Sequence, residues 1–201
     1  MKLFYTPGAC SLAPHIVLQE LGIKFDTEQV DLKTKKTKSG GDFTKVNPKG
    51  SVPTLQLDNG EILTEGAVIM QYLADQKPDA HLIPKVGSFD RYRCQEWLNY
   101  IATELHKGFA PLWNDKTPEE TRTLAKERLA KGFDYLSEKL KNKGFLMSDY
   151  TVADAYLFTI LSWAPIVKID LAKWPTLLGY VEKVKSRPGT MTALKAEGLL
   201  K

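Results

Sequence analysis

Along the first eighty residues the apolar positions recur with two different periods. "KLFYT" alternates briefly and stops at Pro7-Gly8, which reads as a strand closed by a turn. "CSLAPHIVLQELG" then places Leu12, Ile16 and Leu21 near helical spacing and ends on Gly22, so a helix follows. Pro14 falls within its first turn, where no internal donor is lost, and Ser11 is a candidate cap. "KFDTEQVDL" reads as a second strand, and the lysine-rich stretch after it as a loop with one helical turn. "SVPTLQLDNGEILTEG" holds two short strands about Asp58-Asn59-Gly60, a strong hairpin signal. "EGAVIMQYLADQKP" is a helix whose apolar face includes Val68, Ile69, Tyr72 and Leu73, stopped by Pro78. A parallel pair with an added hairpin and flanking helices makes a compact α/β unit.

After "DAHLIPKVGS" the pattern is helical only. "FDRYRCQEWLNYIATELHKGF" is long and amphipathic. "TPEETRTLAKERLAKGFDYLSEKLKNKG" opens with Thr117 as cap, Pro118 at the first helical position and Glu120 three residues after the cap, the spacing of a capping box. "DYTVADAYLFTILSWAPIVK" is apolar nearly all round and reads as a buried central helix, with Thr151 and Asp154 again at cap-plus-three spacing. "KWPTLLGYVEKVKSRPG" and "TMTALKAEG" supply two more helices. The expected organisation is an α/β domain over residues 1–80, a linker over 81–87 and an all-helical domain over 88–201.

Composition narrows the classes without naming one. With 43% hydrophobic and 26% charged residues the chain is an ordinary globular sequence, and its net charge of +4 is mild. No dense basic stripe with interleaved aromatics is present, so nucleic acid is not an expected partner. "MKLFYTPGAC" lacks the apolar core of a signal peptide, and no run approaches the roughly 20 apolar residues of a membrane span. Two cysteines without close spacing make neither a disulfide framework nor a zinc site, so no metal is expected and a reduced, cytoplasmic setting is.

Cys10 is the first candidate for chemistry. Just before a helix, unpaired amides and the helix dipole favour a thiolate, either its own or that of a bound thiol. A cysteine at such a junction is equally an apolar filler. Val52-Pro53 precedes a strand, where a cis bond would offer the Val52 N–H and C=O to an extended peptide; a proline opening an edge strand is the commoner arrangement. Thr64-Glu65-Gly66 stands at a strand-to-helix junction, suited to a ligand with both a carboxylate and an ammonium, though Thr64 as a plain cap with Glu65 favouring the helix dipole is the commoner arrangement.

Taken together, "YTPGAC", "NPKGSVPTL", "LTEGAVIMQYLAD", "WLNYIATELHKGFAPLW" and "YTVADAYLF" resemble, in order and over essentially the whole chain, a bacterial beta-class glutathione S-transferase. The resemblance implies a thioredoxin-like N-terminal domain, an all-helical C-terminal domain, a homodimer, and glutathione held as co-substrate in the cleft between the domains. It implies that Cys10 faces the glutathione sulfur and can form a mixed disulfide with it. It places Val52 as the backbone clamp on the cysteinyl part, Glu65 and Gly66 at the γ-glutamyl end, and Lys35 at the glycine carboxylate. His106 is implied beside the sulfur, with Asn99, Thr103, Glu104 and Leu105 on the same helix contributing to the glutathione site, some from the partner subunit. Tyr5 and Ser11 are secondary candidates, because other glutathione transferases use those residue types to stabilise the thiolate.

The expected reaction is attack of the glutathione thiolate on a hydrophobic electrophile, which would rest near Phe109, Leu112 and Trp113. Thiol transfer or peroxide reduction through Cys10 is a further expected activity. Ala13 stands where a dithiol oxidoreductase would carry its second cysteine, so a cycle here would be monothiol. The alternative is a non-catalytic binding or regulatory module on the same fold. Asp154 reads as a helix cap, Cys94 as an ordinary helix residue, and His15 and His81 match no pattern.

Overall fold

A computed structural model describes residues 1–200, which form two compact units: residues 1–83 with 186–200, and residues 84–185.

The first unit is built on a five-stranded sheet of β1 (Lys2–Tyr5), β2 (Asp26–Asp31), β3 (Lys36–Thr37), β4 (Thr54–Gln56) and β5 (Ile62–Thr64), in the order β3-β2-β1-β4-β5. β1 runs parallel to β2, with Tyr5 opposite Gln29, and antiparallel to β4, with Leu3 opposite Leu55. That apolar pair is completely buried and fixes the register, because a slip of one residue would turn both side chains outward. β5 closes the hairpin with Leu63 opposite Leu55. The lysine-rich loop contains β3 and a 3-10 turn, Phe43–Lys45, whose Thr44 amide is capped by the Asp42 side chain.

Helix α1 (Leu12–Glu20) is buried from Leu12 to Leu18. Ser11 does not cap it: the Ser11 hydroxyl is spent on Thr6, accepting its N–H (3.1 Å) and donating to its carbonyl (3.2 Å). Helix α2 (Gly66–Asp75) buries Ile69, Met70, Leu73 and Ala74, while Val68, expected on the inner face, lies exposed.

Helix α7 (Pro188–Ala196) packs on α1, so residues 186–200, which follow the helical stretch in sequence, belong by their contacts to the first unit. The approach depends on Gly189, where a Cβ would come within 2.6 Å of the Glu20 side chain and 2.8 Å of the Glu20 backbone nitrogen. Arg187 forks onto the Glu20 carboxylate at 3.0 and 2.7 Å. His15 Nδ1 lies 2.8 Å from Glu197 Oε1 in a fully enclosed pair, and the other Glu197 oxygen accepts the Gly8 N–H at 2.9 Å.

The second unit contains α3 (Phe89–Tyr100), α4 (Glu119–Leu140), α5 (Val152–Leu161) and α6 (Pro175–Lys185). The long helix expected from Phe89 onward changes character midway: a π-helical stretch, Ile101–His106, follows α3 and gives way to a 3-10 stretch, Lys107–Leu112. α5 is buried along its whole length. Its capping box forms as the spacing predicts, with the Thr151 N–H donating to Asp154 Oδ2 (2.9 Å). The second Asp154 oxygen accepts the Leu146 N–H and the Tyr180 hydroxyl, each at 2.9 Å, so one carboxylate ties α5 to α6 and to the preceding loop. The box expected at Thr117 does not form: Pro118 stays extended (φ −55°, ψ 144°), α4 starts one residue later, and no side chain caps it. Cys94 is fully buried, and that burial pushes its thiol up to about 11, which makes it an inert packing residue. No helix among the described residues is long and apolar enough to cross a membrane.

Candidate functional site

Cys10 sits in the turn that joins β1 to α1. The turn is pinned from several sides: Ala9 N–H donates to the Thr6 carbonyl, the Thr6 hydroxyl reaches Val30 (2.7 Å), and Ser11 is fully buried against Thr6. Gly8, just ahead, adopts a left-handed backbone (φ +70°) that a side chain would resist. Cys10 itself is half-buried, and its thiol donates to the Val52 carbonyl at 3.1 Å.

The Val52–Pro53 peptide bond is cis. Asn47 shapes the loop around it, donating from Nδ2 to the Ser51 carbonyl and to the Thr54 hydroxyl, both at 2.9 Å. Gly66 closes against the Pro53 ring, since a Cβ there would meet Cγ at 3.4 Å. Cys10, Val52, Pro53 and Gly66, distant in sequence, are therefore neighbours.

Glu65 has φ +68°, a backbone conformation that a side-chain-bearing residue rarely holds and that clusters at ligand-gripping positions. Its exposed carboxylate accepts Lys49 Nζ at 2.7 Å, and the same ammonium donates to the Thr64 hydroxyl at 3.0 Å. Lys35, also left-handed (φ +58°), donates from Nζ to the Gly50 carbonyl at 2.8 Å. The rim of this loop system thus carries two cations and one carboxylate around backbone groups. Tyr5 packs edge-on to His15, and burial, then the Glu197 and Glu28 charges, raise its phenol pKa, so it stays neutral. Ser11 is a brace for the turn.

On the second unit, His106 ends the π-helical stretch, an irregularity often found at functional sites. Its Nδ1 lies 2.7 Å from the Tyr156 hydroxyl, and its ring meets Trp163 edge-on, centroids 5.0 Å apart. Burial, reinforced by the Lys107 charge, pulls its pKa down to about 4. The imidazole is therefore neutral near pH 7 and cannot act there as a charged donor. A neutral imidazole carries one proton, so the tautomer sets whether Nδ1 donates to the Tyr156 oxygen or accepts from its hydroxyl.

Phe109 (buried), Trp113 (46% exposed) and Trp163 form an aromatic cluster beside it, with Trp163 5.6 Å from Phe109 and 5.5 Å from Trp113. Leu112 is buried at the same end of the 3-10 stretch. The other residues implied on this helix have partners within the second unit. Thr103 donates to the Asn99 carbonyl, Glu104 accepts Arg128 at 2.7 Å, and Leu105 is buried over Gly132, where a Cβ would lie 2.8 Å from its Cδ2.

Sequence reasoning missed Lys49, Asn47, Tyr156 and Trp163. Lys49 and Asn47 lie in the quoted "NPKG" turn, whose polarity was the available signal; nothing local marks Tyr156 or Trp163 as partners of a residue some fifty positions away.

Comparison with known proteins fits this geometry. Residues 8–76 match the glutathione S-transferase N-terminal domain and residues 100–188 the glutathione S-transferase C-terminal domain. The chain is 50% identical to glutathione S-transferase GstA of Escherichia coli O157:H7, over 99% of this chain and 100% of that protein. Among solved structures, a sphingomonad glutathione S-transferase complexed with glutathione superposes with a TM-score of 0.96 at 45% identity, covering 100% of both chains. A bacterial beta-class glutathione S-transferase of Sphingomonas chungbukensis does so with a TM-score of 0.97 at 46% identity, again over 100% of both. With its turn cysteine, its cis-proline loop and a thioredoxin-like sheet followed by helices, this chain belongs to the glutathione S-transferase family.

Proposed function

We propose that the protein is a glutathione transferase of the beta-class type, using reduced glutathione as co-substrate to trap electrophilic small molecules. The observation that carries the reading is the grouping of Cys10, the Val52–Pro53 loop and the Glu65-Gly66 junction on one unit. An extended γ-glutamyl tripeptide matches that surface in chemistry. The Val52 backbone pairs with its cysteinyl segment as an added strand would, the Glu65 carboxylate meets its α-ammonium, and the Gly66 amide at the head of α2 meets its α-carboxylate. Lys35 supplies the cation for the glycine carboxylate.

Binding has a local cost. The Val52 carbonyl that would receive the cysteinyl amide already accepts the Cys10 thiol, so the ligand displaces that thiol and leaves Sγ able to meet the glutathione sulfur. Stabilisation of the bound thiolate lowers its pKa from a reference near ~8.5, and each pH unit represents about 1.4 kcal/mol. Neutral His106, oriented by Tyr156, supplies hydrogen bonding on the second unit, and Phe109, Leu112, Trp113 and Trp163 supply an apolar wall for the electrophile. Asn99, Thr103, Glu104 and Leu105 remain proposed contributors to the glutathione site, and a homodimer the proposed assembly. The half-buried Trp97 and Tyr100 rings and the exposed Tyr135 ring, with centroids 5.4–6.1 Å apart, favour it as an aromatic patch of the type that partner chains cover.

Two assays on one variant test the reading. Wild-type protein should conjugate glutathione to 1-chloro-2,4-dinitrobenzene and should reduce a small glutathione mixed disulfide. Cys10→Ala should lose the disulfide reduction and keep a measurable share of conjugation. A protein that binds glutathione yet turns over no halide, disulfide or peroxide is a binding module instead.

A further inference from the structure

The second unit holds a cavity of about 610 Å³ that none of the residues discussed above lines. That volume lies within the roughly 300–1,000 Å³ of small-molecule sites. It opens between the C-terminal end of α5, the loop after it and α6. The walls are apolar, with Leu161, Ile169, Leu171 and Val181 among them. Leu178, on the α6 side of the mouth, is 43% exposed, and Ile166 on the adjoining loop is 64% exposed. Apolar surface left open around a concave apolar site gains from being covered.

The charges at the mouth select what would cover it. Asp170 and Glu182 both line the cavity, against a single cation, Lys168. Asp170 is held in place, one oxygen accepting the Ala172 N–H at 2.9 Å, and Glu182 is carried on the rigid α6, with Lys185 no closer than 3.9 Å. Lys168 stands at a loop position with φ +61°, on a flexible stem whose ammonium gains by reaching water. The end of α5 adds the partial negative charge of a helix C-terminus.

We propose that this cavity is a binding site for an apolar molecule bearing a protonated amine, its hydrocarbon against the α5–α6 walls and its ammonium between Asp170 and Glu182. The proposal does not depend on the transferase reading. The Leu161-Ser162 end of α5 runs directly into Trp163, whose ring touches His106, Phe109 and Trp113, so an occupant would also be registered at that aromatic cluster.

Calorimetric titration of the full chain with 1-naphthylmethylamine and with 1-naphthoate tests it, because the two probes share a ring system and differ in the sign of the charge. The amine should bind more tightly by about fivefold or more, the effect of one favourable charge contact near a protein surface. The double variant Asp170→Asn, Glu182→Gln should remove that preference; asparagine keeps an acceptor for the Ala172 amide. Val181→Phe, which fills the cavity from a half-buried position, should abolish uptake of the amine while glutathione titration stays as in wild type. Equal or tighter binding of the carboxylate, undiminished amine binding in the filled variant, or no uptake of either probe at millimolar concentration would overturn the assignment.

Discussion

Replacing His106 by glutamine should change how stability depends on pH, by an amount that follows from its burial. The imidazole is held at about 4 in the folded chain against 6.5 for the free group. Between those values the unfolded chain binds a proton that the folded chain refuses. Stability therefore rises with pH through that window and is lost as pH falls. The difference is negligible near about pH 7.5 and reaches about 2 kcal/mol near about pH 5, where the unfolded imidazole is almost fully charged and the folded one mostly neutral. Urea unfolding of wild type and His106→Gln at both pH values isolates this contribution. The variant loses the Tyr156 hydrogen bond at every pH, which shifts stability by a constant, so only the change in the difference matters. The gap between the two proteins should move by about 2 kcal/mol in favour of the variant on going from about pH 7.5 to about pH 5. A gap that stays fixed across that range would refute the claim that the site buries a neutral imidazole. Proton NMR gives the same answer directly, since the His106 signals should not titrate above about pH 5.5.

Three further outcomes follow from contacts already described. Asp154→Ala removes the acceptor for the Thr151 and Leu146 amides and the Tyr180 hydroxyl, and should lower unfolding free energy by about 3 kcal/mol, read by urea denaturation. Gly189→Ala drives a methyl group into the Glu20 backbone and should cost about 1–3 kcal/mol in the same assay, whereas a substitution at the unobstructed Gly179 should not depend on that contact. Glu65→Gln should raise KM for glutathione about fivefold or more with a smaller effect on kcat, because in the proposed site this carboxylate meets the α-ammonium and not the sulfur; an unchanged KM would remove Glu65 from that site.

What the sequence disclosed and what it withheld divide by distance along the chain. The Asp58-Asn59-Gly60 hairpin and the Thr151–Asp154 box are read from residues two or three positions apart, and both form as expected. The Thr117 box had the same spacing and failed, because Pro118 held an extended ψ and moved the helix start past it. The placement of α7 on α1 rests on His15 with Glu197, 182 residues apart, and on a glycine whose role is visible only against Glu20; an amphipathic pattern announces a helix without saying which core receives it. The Cys10–Val52 contact spans 42 residues and was accessible only through the family resemblance. The direction of the His106 shift could not be read either, since it depends on burial among Tyr156 and Trp163 rather than on any neighbour in sequence other than Lys107.

The account rests on a surface around Cys10 and the Val52–Pro53 loop that takes up glutathione and favours its ionised sulfur. Ultraviolet absorbance of the thiolate, recorded as a function of pH for the glutathione complex and corrected for the unliganded protein, measures this directly. The bound thiol should ionise at least about one pH unit below the ~8.5 of an unperturbed thiol. Ionisation at the free-solution value in a saturated complex would contradict it.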